Sequence, residues 1–269
     1  MEQQEVRTGC ISWTYPDWLG PFYPEGTKPA EFLRLYSKVF DIVEIDSTFY
    51  RMPNSSTVNQ WKEKTPSNFL FTAKLPKMMT HELKLKGISS QLGYFQKTIK
   101  GLGPKLGCVI AQLLPSFKYE KGIEDFRAFL NEIDPGIRYA VEFRNESWLN
   151  KEVYDMLRAK SVCLAWSVNE YVDSADLEVT TDFLYLRFMG EYSEFTKFDR
   201  IQKDKTDVLD GWWKELKDVL GSVKQAYVLM SNHFEGFAPT TVNQFREIAG
   251  LDELNWKQRM AASENMTLG

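Results

Sequence analysis

Short apolar runs alternate with longer segments of helical period from one end of this chain to the other. About eight runs read as strands: RTGCISW (7–13), IVEIDSTFY (42–50), LFTAKLP (70–76), LGCVIAQL (106–113), RYAVEFR (138–144), VCLAWSV (162–168), FLYLRFMG (183–190) and AYVLMSN (226–232). Between them lie the helical patterns PAEFLRLYSKVF, STVNQWKEKT, SQLGYFQKTIKGL, IEDFRAFLNEI, KEVYDMLRAK, VLDGWWKELKDVL and TTVNQFREIAGL. In the first of these, Phe32, Leu35, Tyr36 and Val39 keep the i, i+3, i+4, i+7 spacing of one buried face. Only the connection 169–182 is too polar and too short for a good helix.

Strands that alternate with helices pair in parallel through crossovers, and about eight such units predict an α/β fold, a TIM-type (β/α)8-like barrel in a single domain. An open doubly wound sheet is the alternative. It is weakened by the first turn, SWTYPDW, which lacks a GxGxxG or GxxxxGK[ST] motif. No linker or repeat interrupts the pattern. The barrel is expected over about 7–251, followed by a polar tail, 252–269, that frays at its end.

Composition changes this picture little. Hydrophobic residues make up 43% and charged residues 26%, as in ordinary globular chains. No apolar run approaches the roughly 18–20 residues of a membrane span, and the start MEQQEVRTG does not read as a signal peptide, so the expected location is the cytoplasm, with no membrane partner. Cys10, Cys108 and Cys163 lie far apart in apolar runs and read as buried thiols rather than disulfides or zinc ligands. With 33 basic and 37 acidic residues, the net charge of −4 requires any nucleic-acid partner to find a local basic surface.

Candidate chemistry follows from strand parity. If Val43 and Ile45 face the helices, Glu44 and Asp46 point into the barrel, and the same alternation turns Glu142 and Arg144, Thr72 and Lys74, Gln112 and Arg187 inward. Charges so placed must pair or face a wet pocket. They gather toward the carboxyl ends of the strands, where barrels of this type carry their sites. Glu44 is expected deepest, with Asp46, Glu142, Arg144 and Arg187 nearer the mouth. An internal ion-pair network that serves packing alone is the competing reading.

Loops leaving the strands open on the same face. Trp13, Tyr15 and Trp18 would wall a pocket or, with Phe22 and Tyr23, form an apolar lid; Tyr50, Arg51 and Trp148 follow strands two and five. His81 and His233 follow strands three and eight, but two histidines without HxxxH spacing do not build a zinc centre. No cofactor is predicted, although carboxylate-bound magnesium is compatible with the residues. No GxSxG elbow supports a serine nucleophile. In NHFEGFAPTT (232–241), a glycine and a proline precede a helix whose free amides would suit an anion, a weak signal alone.

Taken together, GCISWTYPDWLGPFYP, VEIDSTFYRMP, FTAKLPKMMTHE, LGPKLGCVIAQLLPSF, AVEFRNESW, TTDFLYLRFMGE and SNHFEGFAP resemble the YecE-like family, domain of unknown function 72, over nearly the whole chain. The resemblance implies a TIM-barrel-like fold and no established activity. Its motifs mark one face: Trp13, Tyr15 and Trp18; Glu44, Tyr50 and Arg51; Lys74 and His81; Gln112; Glu142, Arg144 and Trp148; Arg187; Asn232. The chain departs from the family pattern at Met189, where a histidine is common, at Asp46, where asparagine is usual, and at SVNEY.

The leading functional reading is a hydrolase or lyase acting on an anionic, ring-bearing small molecule such as a sugar phosphate or nucleotide. Glu142 with Asp46 or Glu44 would do acid and base work, while Arg144, Arg187, Lys74 and Arg51 hold the anion. The alternatives are a module that binds nucleic acid or an anionic ligand without turnover, and an inert barrel. A Glu142 touching only arginines would count against it as a general acid.

Overall fold

The computed structural model describes residues 5–172 and 178–262. Nine parallel strands form one sheet: β1 (Glu5–Ile11), β2 (Ile42–Ile45), β3 (Leu70–Lys74), β4 (Leu106–Gln112), β5 (Tyr139–Glu142), β6 (Val162–Leu164), β7 (Trp166–Val168), β8 (Phe183–Phe188) and β9 (Gln225–Met230). Their order is β6-β5-β4-β3-β2-β1-β9-β8-β7. The sixth predicted strand is thus broken at Ala165 into halves that face different neighbours. Cys163 registers with Ala140 of β5, and Ser167 registers with Arg187 of β8. Because the two halves are consecutive, the ends of the sheet meet there and the barrel nearly closes.

Helices at Phe32–Val39, Ser55–Glu63, Ser89–Ile99, Tyr119–Glu132, Lys151–Ala159, Thr206–Leu220 and Ala238–Ile248 surround the sheet, each within a few residues of its predicted segment. Residues 169–172 and 178–182 carry no helix; 173–177 lie outside the described residues. The polar tail forms a further helix, Trp256–Ala262, whose Trp256 ring packs 5.7 Å from Phe22 and donates to the Pro21 carbonyl. The fraying expected of its end falls at 263–269, beyond the described residues.

Strand alternation produces two separate cores. Val43, Ile45, Val141 and Phe143 face the helices, whereas Ile42, Cys108, Ile110, Ala140, Cys163, Tyr185, Tyr227 and Leu229 fill the barrel. All three cysteines are free and buried, and burial raises each thiol pKa, so they pack as small apolar groups.

Most of the predicted strands end a residue or more early, and three of those early ends shape the mouth. After Ile45 the chain turns into one helical turn, Ser47–Tyr50, held by the Thr48 hydroxyl on the Ile45 and Lys74 carbonyls at 2.9 and 2.7 Å. Asp46 therefore lies beyond β2 in helical conformation, and the inward parity assigned to it does not apply. β5 stops at Glu142, which lets Arg144 fold back on it. β8 stops at Phe188, and Gly190 (φ +69) then passes so near the loop after β9 that an added Cβ would sit 1.9 Å from the His233 carbonyl oxygen.

Candidate functional site at the barrel mouth

Arg187 is the centre of the charged layer above the apolar barrel core. It is fully buried; Nη2 donates to Glu44 at 2.7 Å, and Nη1 reaches Glu142 and, at 3.2 Å, the Gln112 amide oxygen. Glu44 also accepts from the Tyr185 hydroxyl at 2.7 Å, which lies 2.6 Å from Thr72 Oγ1. The second oxygen of Glu142 accepts from Arg144 Nε at 2.6 Å. Burial alone would raise the Glu142 pKa, but Arg187 and Arg144 outweigh it and hold the carboxyl down at about 2. Burial alone would likewise lower the Arg187 pKa, yet Glu142 and Glu44 drive it well above the ordinary value.

Glu44, Glu142 and Arg187 are equally buried, and a carboxyl held near 2 carries no proton to donate at neutral pH. Glu142 and Glu44 thus share Arg187 as their common cation. A magnesium ion on these carboxylates would have to displace the guanidinium. Among the described residues no group of three His, Cys, Asp or Glu side chains is spaced to hold a metal.

Above that layer lie Lys74, Asp46 and His81, of which Asp46 and His81 reach solvent. Lys74, buried at the end of β3, places Nζ 3.8 Å over the Phe49 ring and 3.5 Å from Asp46, whose side chain is 27% exposed. Burial and Arg187 lower the Lys74 pKa to about 8, against the opposing pull of Asp46. His81 sits on the short helix Met78–Glu82, its Nδ1 2.9 Å from Thr80 Oγ1 and its ring against Phe49. Burial, Lys74 and Arg144 lower its pKa to about 4, so the ring is neutral at pH 7. Since the folded state disfavours the imidazolium, His81 destabilises the fold as pH falls from about 6.5 toward 4. An NMR titration is expected to show a His81 midpoint near 4, and a midpoint of 6.5 or higher would place the ring away from these cations.

Three exposed tyrosines stand around this floor. Tyr171 (39% exposed) lies 5.2 Å over the Arg144 guanidinium, Tyr192 (53%) packs on His233, and Tyr50 (73%) follows Asp46. Tyr15 is half-buried beside Phe198, and Asp46, Tyr192 and Tyr50 all add to the burial that raises its pKa. Tyr171 and Tyr192 were not among the sequence candidates. Their signal was position alone, on the loops that follow β7 and β8.

Other candidates lie elsewhere. Trp18 is fully buried beneath the first loop, where Phe22, Tyr23, Tyr36 and Phe237 pack on it and its Nε1 donates to Asn232. Trp13 is buried against Trp61. Trp148 is buried outside the barrel, stacked on Phe143 with Nε1 on the Phe117 carbonyl. These three indoles are core, because enclosing them removes large apolar area from water. Arg51 is exposed just past the Ser47–Tyr50 turn. Asn232 is buried and accepts from the Ala238 amide at 2.8 Å, which occupies one of the free amides at the start of the helix Ala238–Ile248 where NHFEGFAPTT suggested an anion site. His233 is half-buried between Tyr192 and Phe198.

A cavity of about 550 Å³ opens at the opposite end of the barrel, lined in part by Arg7, Arg138, Gln225 and Tyr227. Its polar groups already hold one another: Arg7 pairs with Glu5, and Gln225 accepts from both Arg138 and Tyr227. In this fold that end serves stability.

Comparison with known proteins agrees with this architecture. The family described as "Protein of unknown function DUF72" matches residues 7–265. The UPF0759 protein YunF of Bacillus subtilis is 26% identical over 92% of this chain and 95% of its own length. The UPF0759 protein YecE of Escherichia coli K12 is 25% identical over 54% of this chain and 51% of its own. A DUF72 family protein of Thermotoga maritima superposes with a TM-score of 0.77 at 28% identity, covering 91% of this chain and 99% of that one. One from Enterococcus faecalis superposes at 0.74 with 19% identity, over 93% and 98%. No helix among the described residues is long and apolar enough to cross a membrane. With a family match over nearly its whole length and a solved relative of the same barrel architecture, this chain belongs to the DUF72 family.

Proposed function

We propose that the barrel mouth binds an anionic, ring-bearing small molecule of the sugar-phosphate or nucleotide class and acts on it as a hydrolase or lyase. The observation that carries this reading is Arg144. Its Nε is committed to Glu142, while among the described residues nothing accepts from its two terminal nitrogens, and Tyr171 covers its face. A guanidinium with an open fork presents paired donors to a phosphate or carboxylate. Tyrosine faces beside it suit a ring. Of the three carboxylates proposed from the sequence, Asp46 alone reaches solvent, so it takes the proton-transfer role while Glu44 and Glu142 hold Arg187 in place.

A thermal-shift series tests this, with neutral sugars, sugar phosphates, nucleotides and short single-stranded oligonucleotides at low and high salt. A ligand at one hundred times its Kd adds about 2.7 kcal/mol of apparent stability. The expected result is a salt-tolerant shift from a small phosphorylated compound that Arg144→Met abolishes. A shift confined to oligonucleotides and fading with salt would replace the small-molecule reading with a strand-binding surface. No shift from any class would leave an inert barrel.

A further inference from the structure

Two buried lysines in this chain differ in one respect. Lys105 satisfies all three ammonium donors, on the Lys62 carbonyl (2.6 Å), the Thr65 carbonyl (2.7 Å) and Thr65 Oγ1 (3.1 Å). Lys74 is more deeply buried, yet among the described residues its ammonium makes no hydrogen bond; it has only the Phe49 face and Asp46 at 3.5 Å. Glu44 and Glu142, the other carboxylates near it, are committed to Arg187. With Asp46 as its one ion-pair partner among the described residues, the Lys74 ammonium keeps donors open at the end of the barrel where sites of this fold lie, which points to a ligand.

We propose that Lys74 is a nucleophile whose ε-amine forms an imine with the aldehyde or ketone group of a ligand held at its anionic end by Arg144. This rests on the anion-binding reading of the mouth. The charged groups facing Lys74 are Arg187 from β8, Asp46 and Glu44 from the end of β2 and β2 itself, Glu142 from β5 and His81 from the segment after β3; Arg144 and Lys77 act on that His81 in turn. With its pKa at about 8, roughly a tenth of the amine is unprotonated at pH 7.

Asp46 is placed to accept the ammonium proton. The freed lone pair adds to the carbonyl carbon as the C=O π pair moves to oxygen, giving a carbinolamine. Its C–O bond then breaks, the oxygen leaving as water with a proton returned through Asp46. The sum is ammonium plus carbonyl giving iminium plus one water, with the single positive charge retained beside Asp46. An iminium withdraws electrons from the adjacent bond, which is lyase chemistry. In the pattern the chain resembles, asparagine is usual at position 46, so this proton relay would be a property of the present chain.

Pyridoxal 5′-phosphate, which carries a ring, a phosphate and an aldehyde, serves as probe, with borohydride trapping and peptide mass mapping. Pyridoxine 5′-phosphate, which lacks the carbonyl, reports anion binding alone. The expected result is one adduct on Lys74, with a yield that rises through about pH 8, disappears in Lys74→Arg, and falls about tenfold in Arg144→Met with the loss of one charge-assisted contact. Lys74→Arg should still be stabilised by pyridoxine 5′-phosphate. Labelling spread over surface lysines with Lys74 unmodified, while pyridoxine 5′-phosphate still shifts Tm in an Arg144-dependent way, overturns the nucleophile and leaves the anion site. If neither compound labels Lys74 nor shifts Tm, both fall.

Discussion

Arg187→Met is expected to remove about 3–5 kcal/mol of folding stability at pH 7, because it leaves Glu44 and Glu142 buried without their common cation. In a chain of this size that lowers Tm by on the order of 10 °C. The loss should shrink toward pH 5, where the freed carboxyls can take up protons and shed the buried charge. Adding Glu44→Gln to the variant should recover part of the stability, since the amide would carry no charge and its oxygen could still accept from Tyr185. Urea denaturation at the two pH values measures both effects. A loss below about 1 kcal/mol would mean that the network contributes packing volume and little electrostatics.

The second large effect is on acid stability. The Glu142 carboxyl is held at about 2 in the folded protein against 4.5 for the free side chain. A depressed carboxyl pKa contributes stability that is fully present above the unfolded value and is lost as pH falls through the folded one, so the loss runs from about pH 4.5 down to about 2. Its size is on the order of 3 kcal/mol. Urea midpoints should fall across that window in the parent and fall less in Glu142→Gln, which has no carboxyl there to protonate. If the variant declines as steeply as the parent, the acid sensitivity belongs to other groups. Arg144 and Arg187 share the same glutamate, so its protonation would also loosen the guanidinium that we assign to ligand binding.

The parity that turned Glu44, Glu142 and Arg187 into the barrel was legible because the two-residue period of a strand is a local property. Val43, Ile45 and Val141 left those neighbours only one face. Asp46 shows where that argument stops: it was assigned by extending a strand that ends one residue earlier, and the end is set by Thr48 reaching the carbonyl of Lys74 on the next strand. That contact joins residues 26 apart and leaves no periodic trace. The indoles misled for a related reason. Trp18 and Trp148 stand on loops that leave the functional face, but loop membership does not say which way a side chain turns, and each found an apolar enclosure.

By itself the sequence determined the alternation of strands and helices, the parallel barrel it implies, the inward charges and the face on which they collect, because each follows from short-range periodicity and chain connectivity. Only the tertiary structure decided which charges cancel and which stay open. Glu44 and Glu142 close on Arg187 from strands far apart in sequence, whereas Lys74 and the fork of Arg144 are left facing the mouth. Pairing of buried charges depends on distances across the barrel, which no local pattern encodes, and the chemistry available at this site follows from what that pairing leaves unspent.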